Sequence, residues 1–171
     1  MTDIFSEPCK DGLLQVVRVD LENLEAVREA RKHISDESWK LYTANDPKFN
    51  ELERMARKPP PKPGDRGTVF FAMTINGEIV GLSNHYYFDS EWENYCVRGG
   101  LIVLDKHQRR GIATAYSKIS VRMARHMGVI CFYGQTRQNS PMHKLRKRQG
   151  WEMKQTFKKH GEDWINIRLI L

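Results

Sequence analysis

Residues that build special frameworks are scarce in this sequence. Its 171 residues include three cysteines, Cys9, Cys96 and Cys131, with no Cys-x-x-Cys pair among them. An odd, scattered set excludes a disulfide framework and offers no zinc pattern, so no metal is expected. No apolar run approaches the roughly 20 residues that a membrane-spanning helix requires. The start, Met1-Thr2-Asp3-Ile4-Phe5-Ser6-Glu7, lacks a basic segment followed by an apolar one, and so does not read as a secretory signal. From these absences a cytoplasmic protein without membrane contact is expected. Acids are also missing from one long stretch. Between Arg109 and His160 stand thirteen Lys or Arg and one acid, Glu152, while the totals are 28 and 21. The rest of the chain therefore holds fifteen basic and twenty acidic groups. A positive field over the later half predicts an anionic partner there, and leaves nucleic acid open as one.

What is present is ordinary for one globular domain spanning 1–171, with 40% hydrophobic and 29% charged residues. Leu13–Val19 reads as a first strand. Asp20 can cap a helix whose inner face carries Leu21, Leu24, Val27 and Ala30. A second helical region runs from about Asp36 to Arg57, broken near Asn45-Asp46-Pro47. The proline cluster Pro59–Pro63 forms a stiff connection inside the domain. Thr68–Ile75 and Glu78–Phe88 flank Asn76-Gly77, a strong hairpin signal. A strand over Tyr95–Leu104 contains Gly99-Gly100, which predicts a bulge or a close backbone approach. Gly111–His126 reads as a helix with Ile112, Ala115, Ile119, Met123 and Met127 inward, ended by Gly128. A short strand Val129–Thr136, a helix Pro141–Gln149 and a hairpin about His160-Gly161 complete the order β-αα-βββ-α-β-α-ββ.

Two segments carry chemistry. In Leu101–Ala113 a strand runs through a polar turn into a helix that starts at Gly111. The first amides of a helix have no internal partners and its dipole is positive there. With no side chain at Gly111 and with Arg109 and Arg110 alongside, the turn can cradle an anion. It is neither a P-loop nor a dinucleotide fingerprint. In Asn139–Trp151, Asn139 stands at a helix entrance, where it can serve as a cap.

Together the segments resemble the GNAT superfamily of N-acetyltransferases. The family's acetyl-CoA loop has the form V-x-P-x-aromatic-Q/R-x-x-G-I/L-G/A. Val103, His107, Gln108, Gly111, Ile112 and Ala113 fall in its places, with Asp105 where Pro is usual. Its later motif, N-x-x-small-x-x-L-Y-x-x-x-G-F/W, is matched by Asn139, Leu145, Gly150 and Trp151. The resemblance implies an α/β (α+β) fold with a mixed, mostly antiparallel sheet in which one parallel pair of strands splays to admit CoA. It implies that pantetheine pairs with the backbone of Leu101, Ile102 and Val103 as an added strand. The diphosphate would rest on Gln108, Arg109, Arg110, Gly111, Ile112, Ala113 and Thr114, with Asn139 and Arg146 near the pantetheine arm. The acceptor amine would enter from the opposite side, near His85 to Glu93.

Arg146 stands where the family often has the Tyr that protonates the departing thiolate. Arginine cannot serve as an acid, but it can stabilise a thiolate; otherwise Tyr133, His143 or water donates the proton. For the base that frees the amine, the candidates are His85, Asp89, Glu91 and Glu93, because the positions where relatives often carry Glu hold Val97 to Gly100. The expected activity is acetyl transfer from acetyl-CoA to an amine by direct attack on the thioester. Alternatives are an enzyme directed at aminoacyl-tRNA or an amine-modified base, and a module that binds CoA or a partner without chemistry. Either a monomer or a homodimer is compatible with the sequence.

Overall fold

The computed structural model describes residues 5–42, 52–91 and 94–171. Eight strands form one sheet: β1 (Phe5–Cys9), β2 (Gly12–Arg18), β3 (Gly67–Ile75), β4 (Glu78–Ser90), β5 (Asn94–Val103), β6 (Cys131–Arg137), β7 (Glu152–Lys159) and β8 (Glu162–Ile170). Their order is β1-β2-β3-β4-β5-β6-β8-β7. The helices among the described residues are α1 (Leu24–Arg31), α2 (Asp36–Tyr42), α3 (Leu52–Ala56), α4 (Ile112–His126) and α5 (Pro141–Arg148). The expected break at Asn45-Asp46-Pro47 lies outside the described residues.

Local sequence explains most of these elements. Asn76-Gly77 and His160-Gly161 take left-handed φ values of 51°, 82° and 52°, 77°, the geometry that tight hairpins require of both turn residues. Two features depart from the sequence reading. Strand β1 precedes the expected first strand and pairs antiparallel with β2. Its Pro8 and alternating polar residues suit an edge strand, where a missing N–H costs nothing. Leu21, read as an inward residue, is 51% exposed. Asp20 Oδ1 accepts from the Glu22 and Asn23 amides, closing a turn, so α1 begins only at Leu24.

Helices cover both faces. Leu24, Val27 and Ala30 of α1, Ile34, Trp39 of α2 and Ala56 of α3 pack on Phe70, Ala72, Leu82 and Leu104. On the other face Ile112, Ala115, Ile119 and Met123 of α4 meet Leu14, Val16, Met73 and Val80. That core continues through Ala124, Met127, Phe132 and Trp151 to Ile165 and Ile167 of β8. Among the described residues no helix is long and apolar enough to cross a membrane.

Folding also cancels much of the charge asymmetry. Glu7 of β1 accepts from Lys118 and Arg122 of α4 at 2.7 and 2.8 Å, and those bonds hold its carboxyl below the usual range. Asp11 pairs with Arg110, Glu162 with Arg137, Asp163 with Lys158, and Glu152 with Lys154. Surface pairs of this kind add little to stability. Their larger effect is to shrink the positive field that the linear sequence suggests.

Candidate active site

The site begins at the β5–β6 pair, which is parallel while the other neighbouring strands run antiparallel. Its register runs only from Cys96 opposite Cys131 to Arg98 opposite Tyr133. Beyond that rung β5 continues to Val103 and β6 to Arg137 without pairing to each other, so the two strands open as a V. Glycine permits the geometry at the vertex. A Cβ on Gly99 would stand 2.9 Å from the Phe132 ring, and one on Gly100 2.9 Å from Asn84 Oδ1. Asn84 Oδ1 accepts the Gly100 N–H at 2.8 Å, holding β5 against β4 there. The close approach expected at Gly99-Gly100 is thus present.

The mouth of the V leads to the turn before α4. A 3₁₀ turn, Asp105–His107, is followed by Arg109 at φ 63° and Gly111 at φ 80°. Gly111 caps α4 by conformation, with no side-chain bond. Among the described residues the amides of Gly111, Ile112, Ala113 and Thr114 donate to no protein acceptor, while Ala115 donates to Gly111 O at 2.9 Å. A Cβ at Gly111 would meet nothing within 4 Å, so the space before these amides is open. Gln108 is exposed, its Nε2 donating to Asp105 Oδ1 at 2.9 Å. Arg110 is held by Asp11 at 3.0 Å.

Alternation along the strands sorts the remaining candidates. Leu82 of β4 and Ile102 of β5 belong to the core beneath α1, so the even-numbered residues of β5 and, beyond the irregularity at Val80, those of β4 from Leu82 onward face that side. Tyr86, Phe88 and Arg98 therefore share the α1–α2 face, and Tyr133 joins them through its register with Arg98. Phe88 lies 6.1 Å from Tyr133, ring to ring.

His85 faces the opposite way, and the expectation that it serves as a base at the acceptor entrance is corrected here. It is fully buried. Its Nδ1 lies 3.1 Å from Tyr87 Oη and its Nε2 3.3 Å from Tyr116 Oη. Burial, with Arg146 nearby, lowers its pKa to about 3, so the ring is neutral and already engaged. The same burial raises Tyr116 to about 12 and pushes Tyr87 up. Asp89 is bound by the Arg66 guanidinium, which lowers its pKa. Glu91 is exposed after the end of β4, and Glu93 lies outside the described residues.

Arg146 is 8% exposed. Its guanidinium donates to Ser117 Oγ on α4 and lies 4.3 Å from the Trp151 ring centroid. Burial lowers its pKa to about 10, so it stays charged at neutral pH behind the vertex. Asn139 is not the cap of α5. Ser140 Oγ accepts from the His143 amide at 3.1 Å, and Pro141 follows in the first turn. Asn139 sits one residue earlier at φ 62°, exposed, its amide N–H donating to His143 Nδ1. Asparagine tolerates this left-handed backbone better than most residues, which accounts for its place. An Asn-Ser-Pro run names two possible caps; the proline fixes the choice, because it prefers the first helical position.

Comparison with known proteins agrees with this geometry. The sequence model of the Acetyltransferase (GNAT) family matches residues 24–151. The chain belongs to this family of acyltransferase enzymes. No curated protein matches it. The GNAT domain of S. lividans PAT superposes with a TM-score of 0.73 at 20% identity, covering 98% of this chain and 97% of that one. Mycobacterium smegmatis RimJ, in complex with CoA-disulfide, gives 0.70 at 16%, covering 98% and 86%. A Salmonella typhimurium acetyltransferase that modifies the N-terminal serine of ribosomal protein L7/L12 gives 0.62 at 11%, covering 92% and 95%. At these identities the likeness shows the fold.

Proposed function

We propose that residues 1–171 form one domain that transfers the acetyl group of acetyl-CoA to an amine. The observation that carries this reading is the V between β5 and β6 opening onto the free amides of α4. The donor set suits the cosubstrate. Amides at a helix start and the positive end of its dipole favour a diphosphate. The unpaired edge at Leu101, Ile102 and Val103 suits the amide groups of a pantetheine arm. Bound there, acetyl-CoA supplies an activated acetyl thioester. Arg109 adds charge at the diphosphate, and Asn139 offers its free carboxamide at the mouth of α5. Arg146 holds a permanent positive charge behind the vertex, favouring a departing thiolate, which needs no strong acid. On the α1–α2 face the amine would approach beside Tyr133, losing its proton to water through that open face. The Salmonella relative modifies the N-terminal serine of a protein, and that chemistry supports an amine acceptor here.

Two measurements test this reading. Acetyl-CoA consumption should appear with at least one class among small amines, N-terminal peptides and aminoacyl-tRNA; CoA binding without turnover on any of them would leave a binding module instead. Asn139→Gly keeps the left-handed backbone and removes only the carboxamide. The acetyl-CoA KM should rise several-fold while the melting temperature stays within about 2 °C, since glycine adopts this φ freely. An unchanged KM would remove Asn139 from the site.

A further inference from the structure

One row of side chains crosses the α1–α2 face at the last rung before the V opens. The registers define it: Tyr86 lies opposite Arg98, Arg98 beside Tyr133, Tyr133 opposite Arg168, and Arg168 opposite Glu152. At its far end Glu152 is already bound by Arg168 and Lys154, each at 2.7 Å, and those bonds lower its pKa. Two arginines, Arg98 and Arg168, against one carboxylate leave the row with a net charge of +1. Arg98 is the cation at the vertex. It is exposed, its guanidinium carbon lies 5.7 Å from the Phe88 ring centroid, and among the described residues no carboxylate pairs with it. Beside it Tyr86 and Phe88 stack at 5.5 Å with planes 12° apart, and Tyr86 is 46% exposed. An exposed tyrosine stacked on a half-buried phenylalanine, next to a guanidinium with no carboxylate partner among the described residues, is a surface for a flat, anionic group.

We propose that the acceptor carries an oxyanion near its amine, a carboxylate or a phosphate, and that Arg98 recognises it. The proposal rests on the acceptor side assigned above. A guanidinium at the vertex repels the ammonium form of a plain amine and so disfavours polyamines. An acceptor with its own oxyanion cancels that repulsion and gains forked, charge-assisted hydrogen bonds. Its apolar portion then lies on Tyr86 and Phe88.

Matched acceptors test this on the intact chain with acetyl-CoA: phenylalanine against phenethylamine, and phosphoethanolamine against ethanolamine. In one pair the oxyanion-bearing member should have a kcat/KM at least tenfold higher; the first pair winning identifies a carboxylate, the second a phosphate. Arg98→Gln should abolish that preference and leave CoA affinity, read by calorimetry, unchanged. Turnover with no preference in either pair, or a preference that survives Arg98→Gln, overturns the proposal and leaves acetyl transfer standing. If none of the four is acetylated, calorimetry on the CoA-loaded protein compares N-acetylphenylalanine with N-acetylphenethylamine and N-acetylphosphoethanolamine with N-acetylethanolamine. Tighter binding of an anionic member that is lost in Arg98→Gln supports the proposal, and equal or absent binding overturns it. Failure of acetyl transfer itself would show separately, as no turnover with any amine.

Discussion

Gly111→Glu should weaken CoA binding at least tenfold, and Gly111→Asn should not. Both substitutions place a side chain at φ 80°, at a strain cost of about 1 kcal/mol. Both have room, since no atom lies within 4 Å of the added Cβ. They differ in charge. A glutamate carboxylate would stand before the free amides of Ile112 to Thr114, satisfy them itself, and repel a diphosphate. Asparagine tolerates the left-handed backbone and stays neutral. Melting temperatures of the two variants should therefore fall together, while calorimetry with CoA separates them. Equal CoA affinities would place the diphosphate elsewhere.

Taking the pH from 7 to 4 should cost the fold about 3 kcal/mol through His85 alone. Its pKa is about 3 in the folded protein, against an ordinary 6.5, first because burial penalises the charged ring and then because Arg146 is near. Below pH 6.5 the unfolded chain binds a proton that the folded chain refuses, so stability is full above 6.5 and declines toward pH 3. The slope approaches about 1.4 kcal/mol per pH unit. The carboxylates whose pKa values are lowered, Glu7, Glu78, Asp89 and Glu152 among them, lose their contribution only below their ordinary values near 4. The interval from 6.5 to 4.5 therefore belongs chiefly to His85. Urea unfolding at several pH values should show the decline, and His85→Gln should flatten it. A wild-type stability constant between pH 6.5 and 4.5 would mean that His85 titrates in place.

The elements legible in the sequence are those specified locally. Asn76-Gly77 and His160-Gly161 dictate their turns through φ, and the stripe Ile112, Ala115, Ile119, Met123, Met127 is buried as its spacing predicts. Gly99-Gly100 signalled close contact correctly, because a missing side chain is itself the local cause. What escaped depends on partners distant in sequence. Glu7 meets Arg122 across 115 residues, so the acid-poor stretch looked more positive than its surface is. His85 reads as a hairpin residue until β4 is placed between two helical layers, where Tyr116 of α4 covers it. Arg98 is not marked by its neighbours in sequence. Its signal was available in strand parity, which puts it on the same face as Tyr86 and Phe88, but only the β5–β6 register brings it to the vertex.

That register has a mechanical consequence. The sheet is continuous, yet it divides into a leaf of β1 to β5 and a leaf of β6, β8 and β7, joined in the sheet by the rungs from Cys96–Cys131 to Arg98–Tyr133. Elsewhere the antiparallel ladders run longer, ten pairs between β4 and β5 and seven between β6 and β8. A pulling force applied between β4 and β8 should part the leaves at this seam before it breaks either one. Deuterium should likewise enter first at the β6 amides that face the gap from Gly134 to Arg137. A guest that bridged the two edges would slow both events, so the protein's line of least resistance is also where an occupant would stiffen it most.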